Sequence, residues 1–259
     1  MNFPVTISIS KTTILLHVIL EAAGFFVGFR YFLYLRRKQG DTIPQHKRIW
    51  LLIAAIFGAL IGSRLIGSLE RPYELFRTDN IWEYIYSNKT VLGGFLGGLL
   101  AVELTKIIIK EKHSSGDLMV YPIILALIIG RIGCFSMGIY EETYGIPTHF
   151  FTGMNLGDGI MRHPVALYEI FFLIALWISL VQIEKKYTLS NGSRFRIFMI
   201  AYLLYRFFVD FIKPPYFTIF GLTTIQLTSL LGLIYYYRYI LHPKKLLCPN
   251  VPIPITTLP

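Results

Sequence analysis

The sequence predicts an all-α, polytopic membrane protein with seven transmembrane helices. Its 259 residues are 54% hydrophobic and only 15% charged, and the mean hydropathy is +0.55. A soluble domain of this length carries more charge and shorter apolar runs. Seven apolar segments are long enough to cross a bilayer core, for which a helix needs about 17–25 residues. The basic residues are concentrated in alternate loops between these segments.

The predicted spans cover residues 12–35, 49–69, 91–110, 118–137, 164–183, 196–213 and 219–240. The first of them has no small-residue cleavage pattern, so we expect it to be retained as a helix. One integral domain is expected over residues 1–259. It comprises a membrane bundle at 12–240, a long outer loop at 138–163 and a cytoplasmic tail at 241–259.

The distribution of Lys and Arg predicts the orientation. The loops after the first, third and fifth predicted spans are rich in cations, as is the tail, whereas the loop 138–163 has Arg162 as its single Lys or Arg. The positive-inside rule therefore predicts an outside N-terminus and a cytoplasmic C-terminus. The formal net charge of +10 then reflects cytoplasmic loops facing anionic lipid, and no nucleic-acid partner is expected.

Pairs of glycines four residues apart predict close packing between helices. These pairs are Gly24/Gly28, Gly58/Gly62, Gly93/Gly97 and Gly94/Gly98.

Arg131 lies well inside the fourth predicted span, between Gly130 and Gly133. An arginine at membrane depth costs about 2.5–3.5 kcal/mol on insertion scales, so it marks a functional site with a partner. The flanking glycines let a second backbone or a ligand approach closely. We therefore expect Arg131 to bind an anion.

Two other spans carry acids or a histidine. His17 and Glu21 are four residues apart in the first span, so they share a helix face. They form either an interhelical hydrogen-bonded pair or a base with its orienting partner. Glu169 follows Pro164, a residue suited to a first helical turn. It is either part of the site or an acid that snorkels near a helix start.

The sixth span carries a polar stripe of Tyr202, Arg206, Asp210 and Lys213. Arg206 and Asp210 either neutralise each other or leave Arg206 available. In the second case, Arg131 and Arg206 together supply a surplus of positive charge. This surplus suits a phosphate, because guanidinium groups bind its oxygens in a bidentate manner.

Other chemistries lack their signatures. The sequence has no P-loop, His-Glu-x-x-His or Gly-x-Ser-x-Gly motif. Cys134 and Cys248 lie in different settings, one in a span and one in the tail, so neither a disulfide nor a cysteine metal site is indicated. We expect no metal and no cofactor.

Three motifs follow one another along the chain. They are Gly130-Arg131-Ile132-Gly133-Cys134-Phe135 with Gly138 and Gly145, then Arg162-His163-Pro164 with Leu167-Tyr168-Glu169, then Tyr202 with Arg206, Asp210 and Lys213. This ordered set resembles the prolipoprotein diacylglyceryl transferase family. The resemblance covers most of residues 15–240, and the predicted topology fits it.

The resemblance implies transfer of the diacylglyceryl group of phosphatidylglycerol to the lipobox cysteine of a prolipoprotein signal peptide, the first step of lipoprotein maturation. It implies a bacterial inner-membrane location, with the site facing the outer leaflet. It also implies essential roles for Arg131 and Arg206. The predicted substrate-binding residues are Gly133, Gly138, His163, Glu169, Tyr202 and Asp210.

The chain departs from the family pattern at several positions. Leu92 or Leu96 stands where members commonly have His, Cys134 and Met137 stand where they have Asn, and Ile139 stands where they have an acid.

Without the family histidine, Glu21 or His17 is the first candidate for the catalytic base, and His163 is the next. Two other functions remain open at this point: a different phospholipid-headgroup transferase on the same scaffold, and a noncatalytic lipid-binding protein. A transporter is disfavoured, because no inverted repeat is found.

Overall fold

The computed structural model describes residues 3–9, 12–215 and 218–248. The helices are α1 Leu16–Gln39, α2 Gln45–Ser68, α3 Pro72–Leu75, α4 Ile81–Ser87, α5 Val91–Ile108, α6 Val120–Met137, α7 Val165–Lys186, α8 Ser193–Val209, α9 Thr224–Tyr235 and α10 Tyr237–Leu241. Three antiparallel hairpins pair β1 Thr6–Ile9 with β2 Thr12–Leu15, β3 Met154–Asn155 with β4 Met161–Arg162, and β5 Thr218–Ile219 with β6 Leu222–Thr223.

Within the described part of the chain, five helices are long and apolar enough to cross a membrane. They are Leu16–Gln39, Gln45–Ser68, Val91–Ile108, Asp117–Tyr140 and Val165–Lys186. The chain is therefore a multi-pass helical membrane protein, as its composition predicts. Helix α8 has 17 residues and α9 has 12, so the sixth and seventh spans and the orientation of the termini remain predictions.

The first predicted span was placed too early. Residues 12–15 form β2, and α1 begins only at Leu16. The segment Thr12–Ile14 is β-branched throughout, which favours a strand, and β1 provides a partner for it. The helix then continues to Gln39, four residues beyond the predicted end.

The glycine pairs bring helices into close contact, as predicted. Gly58 and Gly62 of α2 face Gly93 and Gly97 of α5 so closely that a Cβ on Gly62 would lie 2.4 Å from the Gly93 carbonyl oxygen. Gly24 in α1 packs against the backbone of α6 in the same way. Gly93 and Gly97 of α5 thus accept the α2 backbone.

The polar links between helices lie at two opposite ends of the bundle. At one end, Arg48 donates to the Ser115 carbonyl at 2.8 Å, and the Phe195 amide donates to Asp117 at 2.9 Å. We name this the basic end, comprising residues 36–48, 106–117, 184–196 and 242–248. The other is named the site end, comprising residues 3–15, 69–90, 138–164 and 210–223.

Links at the site end join loops that are far apart in sequence. The Ile146 amide donates to the Ile212 carbonyl at 2.9 Å, and Thr224 Oγ1 donates to the Leu69 carbonyl at 2.8 Å. The loop 138–163 contains the β3–β4 hairpin. In the predicted tail, the structure describes residues up to 248, and residues 249–259 lie outside the described part of the chain.

Candidate functional site

Three helices meet at the carboxylate of Glu169, which is only 1% exposed. Arg131 Nε of α6 lies 2.9 Å from Glu169 Oε1, and Arg206 Nη1 of α8 donates to Oε2 at 3.3 Å. Tyr202 Oη donates to Oε1 at 2.8 Å. One carboxylate thus lies between two buried guanidinium groups. The three groups together carry one net positive charge.

Several donors in this cluster have no acceptor. Arg131 Nε is close enough to Glu169 for an ion pair, but its N–H does not point at the carboxylate oxygen. Arg206 Nε and Tyr205 Oη lack a hydrogen-bond partner among the described residues. A buried donor left unpaired costs about 1–3 kcal/mol, and more when it is charged. Unpaired donors beside a net positive charge indicate a place for a bound anion.

The local sequence explains why these groups converge. Tyr202 and Arg206 are four residues apart, so α8 presents them on one face, and Glu169 lies just over one turn into α7. The alternative interpretations of Glu169 and Arg206 are not what the structure shows. Glu169 is buried and does not snorkel, and Arg206 pairs with Glu169. Asp210 instead accepts a hydrogen bond from Thr223.

His17 and Glu21 form a second polar group, on α1. His17 is 9% exposed, and its Nε2 lies 3.5 Å from Glu21 Oε2. Glu21 also forms an ion pair with Lys89, at 2.9 Å. Nδ1 of His17 is buried and has no hydrogen-bond partner in the described part of the chain. A proton on Nε2, facing Glu21, therefore leaves Nδ1 as a free acceptor.

Close backbone packing brings α1 to the α6 motif. A Cβ on Gly133 would lie 3.3 Å from the His17 carbonyl oxygen, so the lack of a side chain at 133 lets α1 approach. Gly130, on the other side of Arg131, faces open space instead. Gly138 ends α6 with φ +60°, and a Cβ there would lie 2.2 Å from the Leu156 carbonyl oxygen. Gly133 and Gly138 thus position the site through the backbone.

His163 lies in the loop 138–163 and not in the Glu169 cluster. Its Nδ1 is 3.0 Å from Tyr168 Oη, and Tyr168 also contacts Thr152. These contacts tie the loop to the start of α7.

Glu70 brings a further acid towards the site from the loop after α2. Burial raises the pKa of Glu70 above its usual range, and the positive charges of Lys213 and Arg206 only partly oppose this effect.

Sequence reasoning did not single out three contacts. Lys89 reaches across to Glu21, Tyr205 places its hydroxyl beside the cluster, and Arg131 Nη1 lies 3.7 Å from Cys134 Sγ. In the sequence, Tyr205 is marked only by its place in the periodic pattern of α8. The contact between Arg131 and Cys134 could have been predicted from their spacing of three residues on one helix. Nothing in the sequence connects Lys89 to Glu21.

Comparison with known proteins identifies the family of this chain. A family model described as prolipoprotein diacylglyceryl transferase matches residues 4–241. The phosphatidylglycerol–prolipoprotein diacylglyceryl transferase of Campylobacter lari is 32% identical over an alignment of 201 residues that covers 71% of this chain and 70% of the relative. The enzyme of that name from Wolbachia pipientis is 30% identical over an alignment of 260 residues, which covers 90% of this chain and 93% of the Wolbachia protein.

The relative of the same name from Finegoldia magna is 28% identical, and the alignment covers 87% of this chain and 90% of the Finegoldia protein. Because the family model spans nearly the whole membrane bundle, it includes Arg131, Glu169 and Arg206 together. The chain belongs to the prolipoprotein diacylglyceryl transferase family.

Proposed function

We propose that this protein transfers the diacylglyceryl group of phosphatidylglycerol to the lipobox cysteine thiol of prolipoprotein signal peptides. It belongs to the transferase family, and its relatives are named for phosphatidylglycerol and prolipoprotein. The observation that carries the proposal is the pair of buried arginines, Arg131 and Arg206, which share the single carboxylate of Glu169.

The two arginines hold the phosphate of the donor lipid. Glu169 contacts Arg131 at Nε and Arg206 at Nη1 and so fixes the orientation of both guanidinium groups, while Arg206 Nε remains for the lipid. As the phosphate leaves, its charge increases, and fixed donors in a site of low dielectric constant stabilise that charge. Tyr205 Oη supplies a further donor at the same place.

His17 is the general base, and Glu21 orients it. A thiol must lose its proton to become a strong nucleophile. The arrangement of a carboxylate, an imidazole and a free imidazole nitrogen is that of an activated nucleophile system. His17 takes the thiol proton, the sulfur forms a bond to the glycerol carbon, and the carbon–oxygen bond to phosphate breaks. Glycerol phosphate departs with the electron pair of that bond.

For the membrane, we propose seven spans, with the site end facing the outer leaflet. Helix α8 is nearly long enough to span, and α9 continues through Tyr236 into α10. The cations at the basic end favour the cytoplasm. Reporter fusions after residues 89, 115 and 190 test this topology, and a cytoplasmic signal from residue 89 would contradict it.

A purified assay tests the proposed activity. The protein in phosphatidylglycerol vesicles is incubated with a lipobox peptide, and mass spectrometry follows the peptide. We expect a mass gain of one diacylglyceryl group on cysteine. No gain is expected with phosphatidylcholine vesicles or with a peptide in which serine replaces the cysteine. An unmodified peptide together with altered lipid would instead support a different headgroup transferase.

A further inference from the structure

Cys134 is a thiol at the edge of the site to which the proposed reaction assigns no role. It is one turn from Arg131 on α6, and Arg131 Nη1 donates towards its sulfur at 3.7 Å. The His17 side chain also lies against this thiol. Cys134 is therefore part of a cluster of a thiol, an imidazole and a guanidinium.

Two further observations concern the polar groups around this thiol and its exposure. His17 Nδ1 is buried without an aligned hydrogen-bond partner among the described residues, and Arg131 contacts both Glu169 and Cys134. Cys134 is partly exposed, and the cavity that it lines with Gly138, Tyr144 and Ala166 at the C-terminal end of α6 has room for about one water molecule. The thiol is thus reached by solvent from the site end.

We propose that Cys134 is a modification site for small anionic thiol-specific electrophiles, and that the adduct blocks the donor phosphate site. This proposal rests on the proposed function, because it places the phosphate beside Arg131. The reagent's negative group would occupy the position of that phosphate. A sulfonate offers the same kind of oxygen acceptors to a guanidinium as a phosphate does.

The chemistry is a thiol–disulfide type exchange. The Cys134 thiol loses its proton to solvent, and its sulfur attacks the sulfenyl sulfur of an alkyl methanethiosulfonate. A disulfide forms between Cys134 and the alkylthio group, and methanesulfinate leaves with the electron pair of the broken sulfur–sulfur bond. A thiol reductant reverses the modification.

The charge of the reagent should determine how fast it reacts with Cys134. Arg131 next to the sulfur attracts an anionic reagent and opposes a cationic one, and a buried site resists screening by salt. Cys248 is the matched control, since it is the only other cysteine and lies at the basic end, where its sulfur contacts the Leu189 carbonyl. High salt screens the exposed lysines near Cys248 much more than it screens Arg131.

The experiment labels the full-length protein in detergent at about 0.3 M salt, an ionic strength that screens exposed charges. Two probes are compared, the sulfonatoethyl and the trimethylammonioethyl methanethiosulfonates. Mass spectrometry measures labelling at each cysteine. We expect the anionic-to-cationic rate ratio to be at least fivefold higher at Cys134 than at Cys248. Phosphatidylglycerol, but not phosphatidylcholine, should slow labelling of Cys134.

The activity readout uses the same samples. The anionic reagent should abolish transfer, a reductant should restore it, and a Cys248→Ala protein should behave like the wild type. Equal rate ratios at the two cysteines, no protection by phosphatidylglycerol, or full activity after complete Cys134 labelling would each overturn the proposal. Labelling and its slowing by phosphatidylglycerol do not require catalytic turnover. These two measurements therefore test the proposal even if the lipobox peptide is never modified.

Discussion

Arg48 at the basic end and Arg131, in the part of α6 that leads to the site end, are both buried arginines, with 2% and 8% of their surfaces exposed. Arg48 donates from Nε and Nη2 to Asp41, at 2.8 and 2.5 Å, and from Nη1 to the Ser115 carbonyl at 2.8 Å. All three of its nitrogens have acceptors. Arg131 has one acid beside it and leaves Nε without an aligned acceptor.

This difference supports the proposal that Arg131, unlike Arg48, binds a ligand. Arg48 joins the α1–α2 loop to the loop before α6, and its donors are used within the protein. Arg131 and Arg206 share Glu169, and each keeps an unpaired donor. Burial alone does not distinguish the two cases. The hydrogen-bond partners do: every nitrogen of Arg48 has an acceptor, whereas Arg206 Nε has none among the described residues, and buried donors are rarely left without a partner.

The largest expected effect is on activity at the site end. Arg131→Gln and Arg206→Gln should each lower the rate of transfer about 100-fold or more, since removing one donor to a developing charge costs about 2.7–4 kcal/mol. The purified peptide assay measures this rate per folded molecule. Arg131→Lys is the matched control. It keeps the charge but loses the planar guanidinium, so it should restore only part of the rate.

Full activity in both glutamine variants would remove the arginines from the proposed mechanism.

Arg48→Gln should show the opposite pattern. Breaking a buried ion pair by removing one partner costs about 3–5 kcal/mol, so the thermal unfolding temperature in detergent should fall markedly. Transfer per folded molecule should stay close to that of the wild type. Arg37→Gln, in the same cationic segment, provides a control for loss of charge alone. If Arg48→Gln folds stably but is inactive, the division between the two ends is wrong.

A pair of tyrosines refines the comparison within the site. Tyr202→Phe removes a buried hydrogen bond to Glu169 and should lower the free energy of unfolding by about 1.5–3 kcal/mol. Tyr205→Phe removes a hydroxyl without a partner in the described structure, so stability should be unchanged or slightly higher. Reduced transfer by a stable Tyr205→Phe protein would show that this hydroxyl meets the substrate.

Chemical denaturation with a transfer assay on the same preparation measures both quantities.

The smallest expected effect is the pH dependence of stability at the basic end. Hydrogen bonds from the amide and ring of His113 and from Lys47 lower the pKa of Glu111 to about 2. Burial alone would raise the pKa of Asp41, but hydrogen bonds from Arg48 and the Ile43 amide, together with nearby charges, lower it. These acids therefore stabilise the fold above their unfolded pKa values. The stabilisation is lost as the pH falls.

For Glu111, the loss should occur between about pH 4.5 and pH 2. Unfolding temperatures measured across this range should fall less steeply for Glu111→Gln than for the wild type. An identical slope in the variant would contradict the assignment.

Much of the site was predictable because membrane burial makes polar residues conspicuous. Arg131, Glu169, Tyr202 and Arg206 stand out in apolar helices, and the energetic cost of each implies a partner. Which partner each one has was not predictable. Arg206 and Asp210 have the spacing of an ion pair along α8, yet the carboxylate that Arg206 contacts is on α7. Helix spacing constrains neighbours on one helix, whereas packing decides neighbours between helices.

The sequence by itself determined the class of this protein, the approximate positions of its helices and the residues that are costly in a membrane. These properties depend on local composition and periodicity, which are properties of the sequence and do not require the fold. Only the tertiary structure decided that one carboxylate serves two arginines, that Lys89 reaches Glu21, and that residues 12–15 pair as a strand. These contacts depend on how α1, α6, α7 and α8 pack against one another, and burial and hydrogen-bond satisfaction across the whole bundle select that packing.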